Sequence, residues 1–397
     1  MRHCYLFNPE NDLALASNSS HYHTPKKILE FSSDLSLLPV WYAPNNSLIL
    51  TRTDVDSQWY QELFSQLGIQ QKWLALERYS YQSNDQLSPW GWNSTLLAWW
   101  KKLNPSFSIC FEQMKNWSSR EVTINLLSYL KQQNLLEPSL TIPQKLNSYS
   151  DILRFQTEHP LFILKSPWSG SGKGLFWSNG LWRDKLREWS NNILTTQGFV
   201  IGELAYEKKH DFAMEFHCQD GNVSFIGYSH FLTDKFGHYK YNIMASDKEI
   251  ESFLLHKLYH PERLLRTKEK IILFLKENLA QFYNGYLGID MMLYGSKSTN
   301  CFLHPCIEIN LRMNMGIVSQ MIHKRYFPEE TKGIYNVKTF SSPKELLDYD
   351  LFMRKKFPLK IESKKIMNGY LALTQITPHS RSLAYLQSGI EEEVCHV

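Results

Sequence analysis

The ten residues from Lys165 to Gly174, KSPWSGSGKG, constrain this chain more than any other segment. They follow a short apolar run, Leu161-Phe162-Ile163-Leu164, which predicts a buried strand. Leu175-Phe176-Trp177 is aromatic and β-favouring, and Asn179-Gly180 reads as a turn. The order is therefore strand, glycine loop, strand. Such a loop bares backbone N–H groups to anionic oxygens and folds over them as a flap. A phosphate loop running into a helix requires Gly, four residues, then Gly-Lys-Ser/Thr. Here Pro167 stands five before Gly172, and Gly174 follows Lys173, so that motif is excluded. The dinucleotide pattern Gly-x-Gly-x-x-Gly fails too, because the glycines fall at 170, 172 and 174. The alternative reading is a flexible surface hairpin.

A second constellation lies about 140 residues downstream. Ile271, Leu275, Leu279 and Phe282 form a helical stripe, and Asn284-Gly285 would end that helix. From Tyr286 to Tyr294 the chain alternates. Leu287, Ile289, Met291 and Leu293 face one way and Asp290 the other. Gly295 to Asn300 reads as a turn, and Cys301 to Asn310 as the returning strand, with Glu308 and Asn310 on one face. Antiparallel pairing would bring Asp290 beside Glu308. Two carboxylates and an amide oxygen at one point repel one another unless a cation joins them. A solvated outer face is the alternative, weakened by the flanking apolar residues and by Arg312. Flap and acids together indicate ATP with magnesium.

At this point the chain resembles the ATP-grasp superfamily. The resemblance rests on Phe162-Ile163-Leu164-Lys165 with Ser169-Gly170-Ser171-Gly172-Lys173-Gly174, on Phe199-Val200-Ile201-Gly202-Glu203, on Gly288-Ile289-Asp290, and on Ile307-Glu308-Ile309-Asn310-Leu311-Arg312. It spans roughly residues 116 to 325. It implies that Lys165 touches phosphate and adenine, and that Ser169 to Gly174 close over the β- and γ-phosphates. It implies that Glu203 and the Leu204 backbone meet the adenine edge. Asp290, Glu308 and Asn310 would hold Mg2+, with Mn2+ as a compatible substitute. Arg312 would stabilise charge on the transferring group. The ribose-binding acid falls at Asp211, one residue past the expected place, which His210 occupies; an acid at a strand edge beside Lys208 and Lys209 is the alternative. Where the family often has a phosphate-contacting lysine, this chain has Arg120, beside a capping box of Ser118 with Glu121. Arg120 either replaces that lysine or is a surface residue.

The N-terminal 115 residues read as alternating elements: strand Cys4 to Phe7, helix Lys26 to Leu38, strand Ser47 to Thr51, helix Ser57 to Leu67, strand Lys72 to Leu76, and helix Asn93 to Leu103. That pattern builds an open, mostly parallel α/β sheet, with ligands beyond its strand C-termini. Asn8-Pro9-Glu10-Asn11-Asp12 stands there, as substrate loop or helix cap. Pro89 to Asn93 is a second such loop or a turn with aromatic packing. The expected fold class is thus α/β and α+β. A Rossmann-like open α/β domain (1–115) precedes an ATP-grasp fold whose two α+β lobes clasp ATP. Its small lobe with the flap spans 116–200 and its large lobe with the metal site 201–330. A C-terminal extension (331–397) carries one strand at Gly369 to Thr374.

Composition agrees with this reading. The 397 residues are 43% hydrophobic, enough for several cores. A net charge of +4 is too small to argue for nucleic acid. The stretch Arg354 to Lys365 reads as a solvated face. The six cysteines, at 4, 110, 218, 301, 306 and 395, are scattered and include no Cys-x-x-Cys, so neither a zinc site nor a disulfide framework is suggested. Met1 to Phe7 is too polar for a signal peptide, and no apolar run reaches membrane length. A cytoplasmic protein with no nucleic-acid or membrane partner is expected. The resemblance implies an ADP-forming ligase that joins a small-molecule carboxylate, through its acylphosphate, to an amine or other nucleophile, with amino acids or peptides among the candidates. It is compatible with a homodimer. A phosphotransferase of the same fold and a non-catalytic nucleotide-binding protein are the alternatives.

Overall fold

The protein is described by a computed structural model covering residues 2–17, 19–56, 58–170, 174–178, 183–234, 237–297 and 300–389. Its N-terminal sheet is parallel throughout. β1 (Arg2–Leu6), β2 (Leu48–Thr51), β3 (Lys72–Ala75) and β4 (Asp85–Pro89) lie in the order β3-β2-β1-β4. Apolar residues on successive positions go to opposite faces, and both faces are covered. Leu48 and Leu50 pack with Cys4, Leu6 and Trp100, while Ile49 joins Phe7, Trp41 and Phe64 behind the sheet. β4 was not expected. Its sequence, Asp-Gln-Leu-Ser-Pro, has no β-branched residue, so propensity gives no signal. Register with β1 supplies the strand instead, and Arg2 fixes it with a two-armed ion pair to Asp85 at 2.6 and 2.7 Å. The helix from Lys26 stops at Asp34, short of Leu38, because the chain tightens into a 3₁₀ turn over Leu38–Trp41 with Pro39 inside it.

The second sheet carries the flap. β5 (Gln144–Leu146), β6 (Phe162–Lys165), β7 (Leu175–Trp177) and β8 (Val200–Leu204) run antiparallel in the order β5-β8-β6-β7. The expected hairpin is present: Ile163 pairs with Trp177 and Lys165 with Leu175. Helices Tyr149–Glu158 and Arg183–Gln197 cover one face, burying Ile152, Phe155, Leu186 and Ile193 against Phe162, Leu164 and Val200.

The third sheet is the largest. β9 (Lys208–Gln219), β10 (Asn222–Thr233), β11 (Tyr239–Met244), β12 (Gly285–Tyr294), β13 (Phe302–Asn310), β14 (Gly333–Thr339), β15 (Lys360–Glu362), β16 (Lys365–Ala372) and β17 (Ser382–Ser388) lie in the order β13-β12-β9-β10-β11-β14-β17-β16-β15. Asp220 and Gly221, both at positive φ, close the β9–β10 hairpin with the twist such turns favour. Strands from 333 to 388 continue this same sheet through the β11–β14 pairing, rather than contributing the one expected strand. The helix expected from Ile271 to Phe282 begins at Glu262 and ends at Asn278. Leu264 and Thr267 are buried two turns and one turn before Ile271, so the stripe starts earlier among charged residues that obscure it. Gly285 opens β12 instead of capping the helix.

Candidate functional site

A cleft of about 660 Å³ runs between the small and the large sheets and reaches Phe31 of the N-terminal domain. Its walls are set by strand parity. Ile163 pairs with Glu203 in the β6–β8 register, so Lys165 and Glu203 share a face. Both are buried, and they form an ion pair. Lys165 Nζ also donates to the Ile307 carbonyl at 3.3 Å, tying the small sheet to β13. Behind them lies His304, whose Nε2 is 3.6 Å from Glu203, too far for a hydrogen bond. Burial, helped by the Lys165 charge, pushes the imidazole down to about 3, so it is neutral and no ion pair forms. Leu204, Tyr206 and Trp177 line the same end of the cleft.

Asp211 lies in the cleft wall and His210 does not. The Asp211 carboxylate accepts from Lys208 Nζ and from Thr233 Oγ1, each at 2.6 Å. His210, one position off in parity, turns to the opposite face and packs on Phe253 and His230.

The two acids meet as the alternation requires. Asp290 stands directly opposite Glu308 in the β12–β13 register, with Gly288 opposite Asn310. The register shifts just beyond, between Asp290 and Met292, a bulge that ends the regular pairing next to the acids. Asn310 Nδ2 donates to Asp290 at 3.0 Å, leaving Oδ1 for another partner. Burial, and then the Glu308 charge, push the Asp290 carboxyl up to about 7. An oxygen set of two carboxylates and an amide, with one acid raised by burial and by the other acid despite Arg312 nearby, fits a hard divalent cation. Among the described residues no group of three or more His, Cys, Asp and Glu offers a metal cage.

Arg120 is not a surface residue. It is 4% exposed, and its guanidinium joins the flap to the acids. Nη1 donates to Ser166 O at 2.9 Å and Ser169 Oγ at 2.6 Å, while Nη2 reaches Glu308 at 3.0 Å. The capping box expected beside it is absent. Ser118 closes the preceding helix, Phe111–Trp117, and donates to Met114 O; the Ser119 hydroxyl accepts the Glu121 N–H. Glu121 is drawn away by Lys145 at 2.8 Å. In the flap, Gly170 lies against Asp12 and Arg312: a Cβ there would come within 2.0 Å of Asp12 Oδ2. Gly174 holds φ +66° and its carbonyl accepts from Ser166 N at 2.9 Å. Ser171, Gly172, Lys173 and the turn at Asn179-Gly180 lie outside the described residues.

Arg312 borders the cleft, but not by strand parity. β13 ends at Asn310, and Arg312 N bonds back to the Asn310 carbonyl at 2.8 Å. What aims the guanidinium is Asp12. The other polar residues of that N-terminal loop serve the domain itself. Asn8 donates to Gly91 O at 2.8 Å, and Glu10 pairs with Arg52. Gly91 has no room for a side chain beside Asn11, and Asn93 N-caps the helix Ser94–Leu103. Pro89 to Asn93 is thus a packed turn.

Several cleft residues carry no motif in the sequence, Glu215 foremost among them. Glu215 on β9 is buried, and burial pushes its carboxyl up to about 8. Asn314 donates to it at 2.8 Å while also capping the helix Met315–Tyr326. Its signal was parity: Asp211, Ala213 and Glu215 alternate with the apolar Phe212, Met214 and Phe216.

No protein-family model matches the sequence, and no curated protein matches it. Solved structures do. One is N5-carboxyaminoimidazole synthetase from Staphylococcus aureus, complexed with ADP, with 10% identity and a TM-score of 0.51 over 98% of this chain and 94% of that one. Another is pyruvate carboxylase from Rhizobium etli, with 9% identity and a TM-score of 0.54 over 98% of this chain and 36% of that one. At such identities the likeness is one of fold. The chain has the ATP-grasp fold.

Proposed function

We propose that the protein is an ATP-dependent, ADP-forming ligase that joins a carboxylate to an amine. The observation that carries this reading is the direct opposition of Asp290 and Glu308 in a cleft that also holds Lys165, Glu203 and the base of the glycine hairpin. The Staphylococcus synthetase of the same fold is complexed with ADP. Lys165 and Glu203 meet the nucleotide, Asp211 the ribose, and Arg120 with Ser169 to Gly174 the phosphates. Asp290, Glu308 and Asn310 would hold Mg2+, which when bound would offset the charge of the phosphate oxygens. Arg312 presents a planar fork to the transferring group, a geometry a lysine lacks.

In the reaction, a carboxylate oxygen attacks the γ-phosphorus and ADP leaves with the bonding electrons. The amine nitrogen then attacks the acyl carbon, phosphate leaves, and the nitrogen sheds a proton. No protein nucleophile takes part. A screen for ADP release over amino acids, dipeptides and small carboxylates with Mg·ATP tests the proposal. ADP and phosphate are the expected products. AMP and pyrophosphate as main products overturn the mechanism, because they require attack at the α-phosphate.

A further inference from the structure

The cleft is also lined by Glu215, Ser229, Gly316 and Met315, an end that none of these roles occupies. We infer that this end is the subsite of the second substrate, and that it receives a primary amine, as the ammonium, carried on an apolar body. Before its nitrogen can attack, the ammonium passes one proton to the Glu215 carboxylate; that use of the amine rests on the ligase reading, and its binding does not.

Glu215 anchors the subsite. The residue is 1% exposed, yet it borders the cleft. Asn314 Nδ2 donates to its Oε2. The basic side chains along the cleft are already committed: Arg312 to Asp12, Arg120 to Glu308, Lys165 to Glu203 and Lys208 to Asp211. Among the described residues none pairs with Glu215. A carboxylate buried with one amide donor is undercompensated, and a cation is the partner it lacks.

Two glycines shape the space around it. Gly288 faces Glu215 across the β9–β12 pairing, and a Cβ there would lie 2.4 Å from Oε2. At Gly316, in the first turn of Met315–Tyr326, a Cβ would lie 2.5 Å from Oε1 and 2.2 Å from Ser229 Oγ. Backbone thus approaches both carboxylate oxygens so closely that no side chain fits at either position, and Glu215 meets the cleft beside the Ser229 hydroxyl, a second oxygen acceptor. Ser229 is held from behind by Asn242 Nδ2 at 2.7 Å, and Asn242 by Tyr239 Oη at 2.6 Å. An ammonium brings three donors and no acceptor, which matches Oε1 and Oγ. A carboxylate in the same place would face Glu215 with like charge. Phe31, Met315 and Val337 line the cleft and pack on a common core, giving an apolar surface for the body of the amine.

The test uses n-butylammonium, 1-butanol and butyrate as probes on the full-length chain with Mg·ADP present, which keeps the ammonium off the Asp290–Glu308 pair. Saturation-transfer NMR at pH 9, above the value of about 8 to which burial pushes the Glu215 carboxyl and below that of an alkylammonium, reads binding. Butylammonium should bind saturably, and the other two more weakly. Glu215→Gln should weaken it about tenfold or more, the scale of a charge-assisted hydrogen bond. Ser229→Ala, which leaves Glu215 in place, should weaken it by a smaller factor and covers the case in which Glu215→Gln melts early. Butyrate binding better than butylammonium overturns the inference, as does unchanged amine binding in both variants. ADP release that continues while butylammonium binding fails overturns the subsite alone. Amine binding with no ADP release from any carboxylate overturns the ligase reading alone.

Discussion

Asp12 and Arg312, 300 residues apart in sequence, form a two-armed ion pair across the junction of the N-terminal domain and the end of β13. Nε and Nη2 of the guanidinium donate to the two carboxylate oxygens at 2.8 and 2.7 Å, and Nη1 donates to Met313 O at 3.0 Å. The fork is thus fixed in plane before any substrate enters, and the glycine flap rests on the same pair through Gly170. Preorganised charge of this kind carries much of the rate in phosphoryl and acyl transfer.

Arg312→Lys keeps the charge and loses the fork. Turnover should fall about 10²-fold or more, the scale of one lost preorganised contact, with nucleotide affinity nearly unchanged. Asp12→Asn should lower turnover in the same direction while Arg312 remains. Steady-state kinetics beside calorimetry with a non-hydrolysable ATP analogue separates the two effects. Equal losses in affinity and turnover would assign Arg312 to ground-state binding.

Glu308→Gln and Asn310→Ala remove the proposed oxygen ligands rather than packing, since both side chains face the cleft. Each should cut turnover strongly with circular dichroism unchanged. Unfolding of either variant would make the pair structural. Normal turnover in both would remove them from the chemistry.

The contrast between Asp290 and Arg312 shows what the sequence could convey. Asp290 and Glu308 sit on alternating strands joined by a short turn, so a period of two places both side chains and the turn places the strands. Arg312 lies past the strand end, where parity no longer applies, and its orientation comes from a residue 300 positions away. β4 shows the same limit in the fold. Asp85–Pro89 carries no local β signal and exists through its parallel partner, as an edge strand that tolerates a terminal proline. Of β14 to β17 only the second half of β16 is legible, from Gly369 on, because pairing, not propensity, makes the others one sheet with β11. Glu215 was legible by the same alternation that gave Asp211.

Stability should depend on pH through His230, which is buried against Phe253 and His210. Burial pushes both imidazoles down to about 4, from an ordinary value of 6.5. Between those values the unfolded chain takes up protons that the folded chain refuses. Stability is therefore highest above pH 6.5 and falls as the pH drops towards 4. His230 alone contributes on the order of 3 kcal/mol over that span. Urea melts at pH 7, 6 and 5 measure the slope, and His230→Phe should make it shallower. A slope unchanged by the substitution would place the proton uptake elsewhere.

The Asp290 carboxyl gives the last expectation. Without a cation its ordinary value of 3.8 rises to about 7, from burial first and the Glu308 charge second. A carboxylate must shed its proton to ligate a metal, so binding of Mg2+ with nucleotide competes with that proton. Above pH 7 Asp290 is already ionised and affinity should be level. Below it, each pH unit should weaken binding by up to about tenfold, since one proton leaves for each ion bound. Calorimetry with Mg2+ and an ATP analogue at pH 6, 7 and 8, in buffers of different ionisation enthalpy, reads both the affinity and the released proton. Asp290→Asn removes the titrating group and should flatten the profile at a lower affinity. Proton release that persists in that variant would move the coupled group away from Asp290. A flat profile in the unsubstituted protein would show that Asp290 is ionised before the metal arrives.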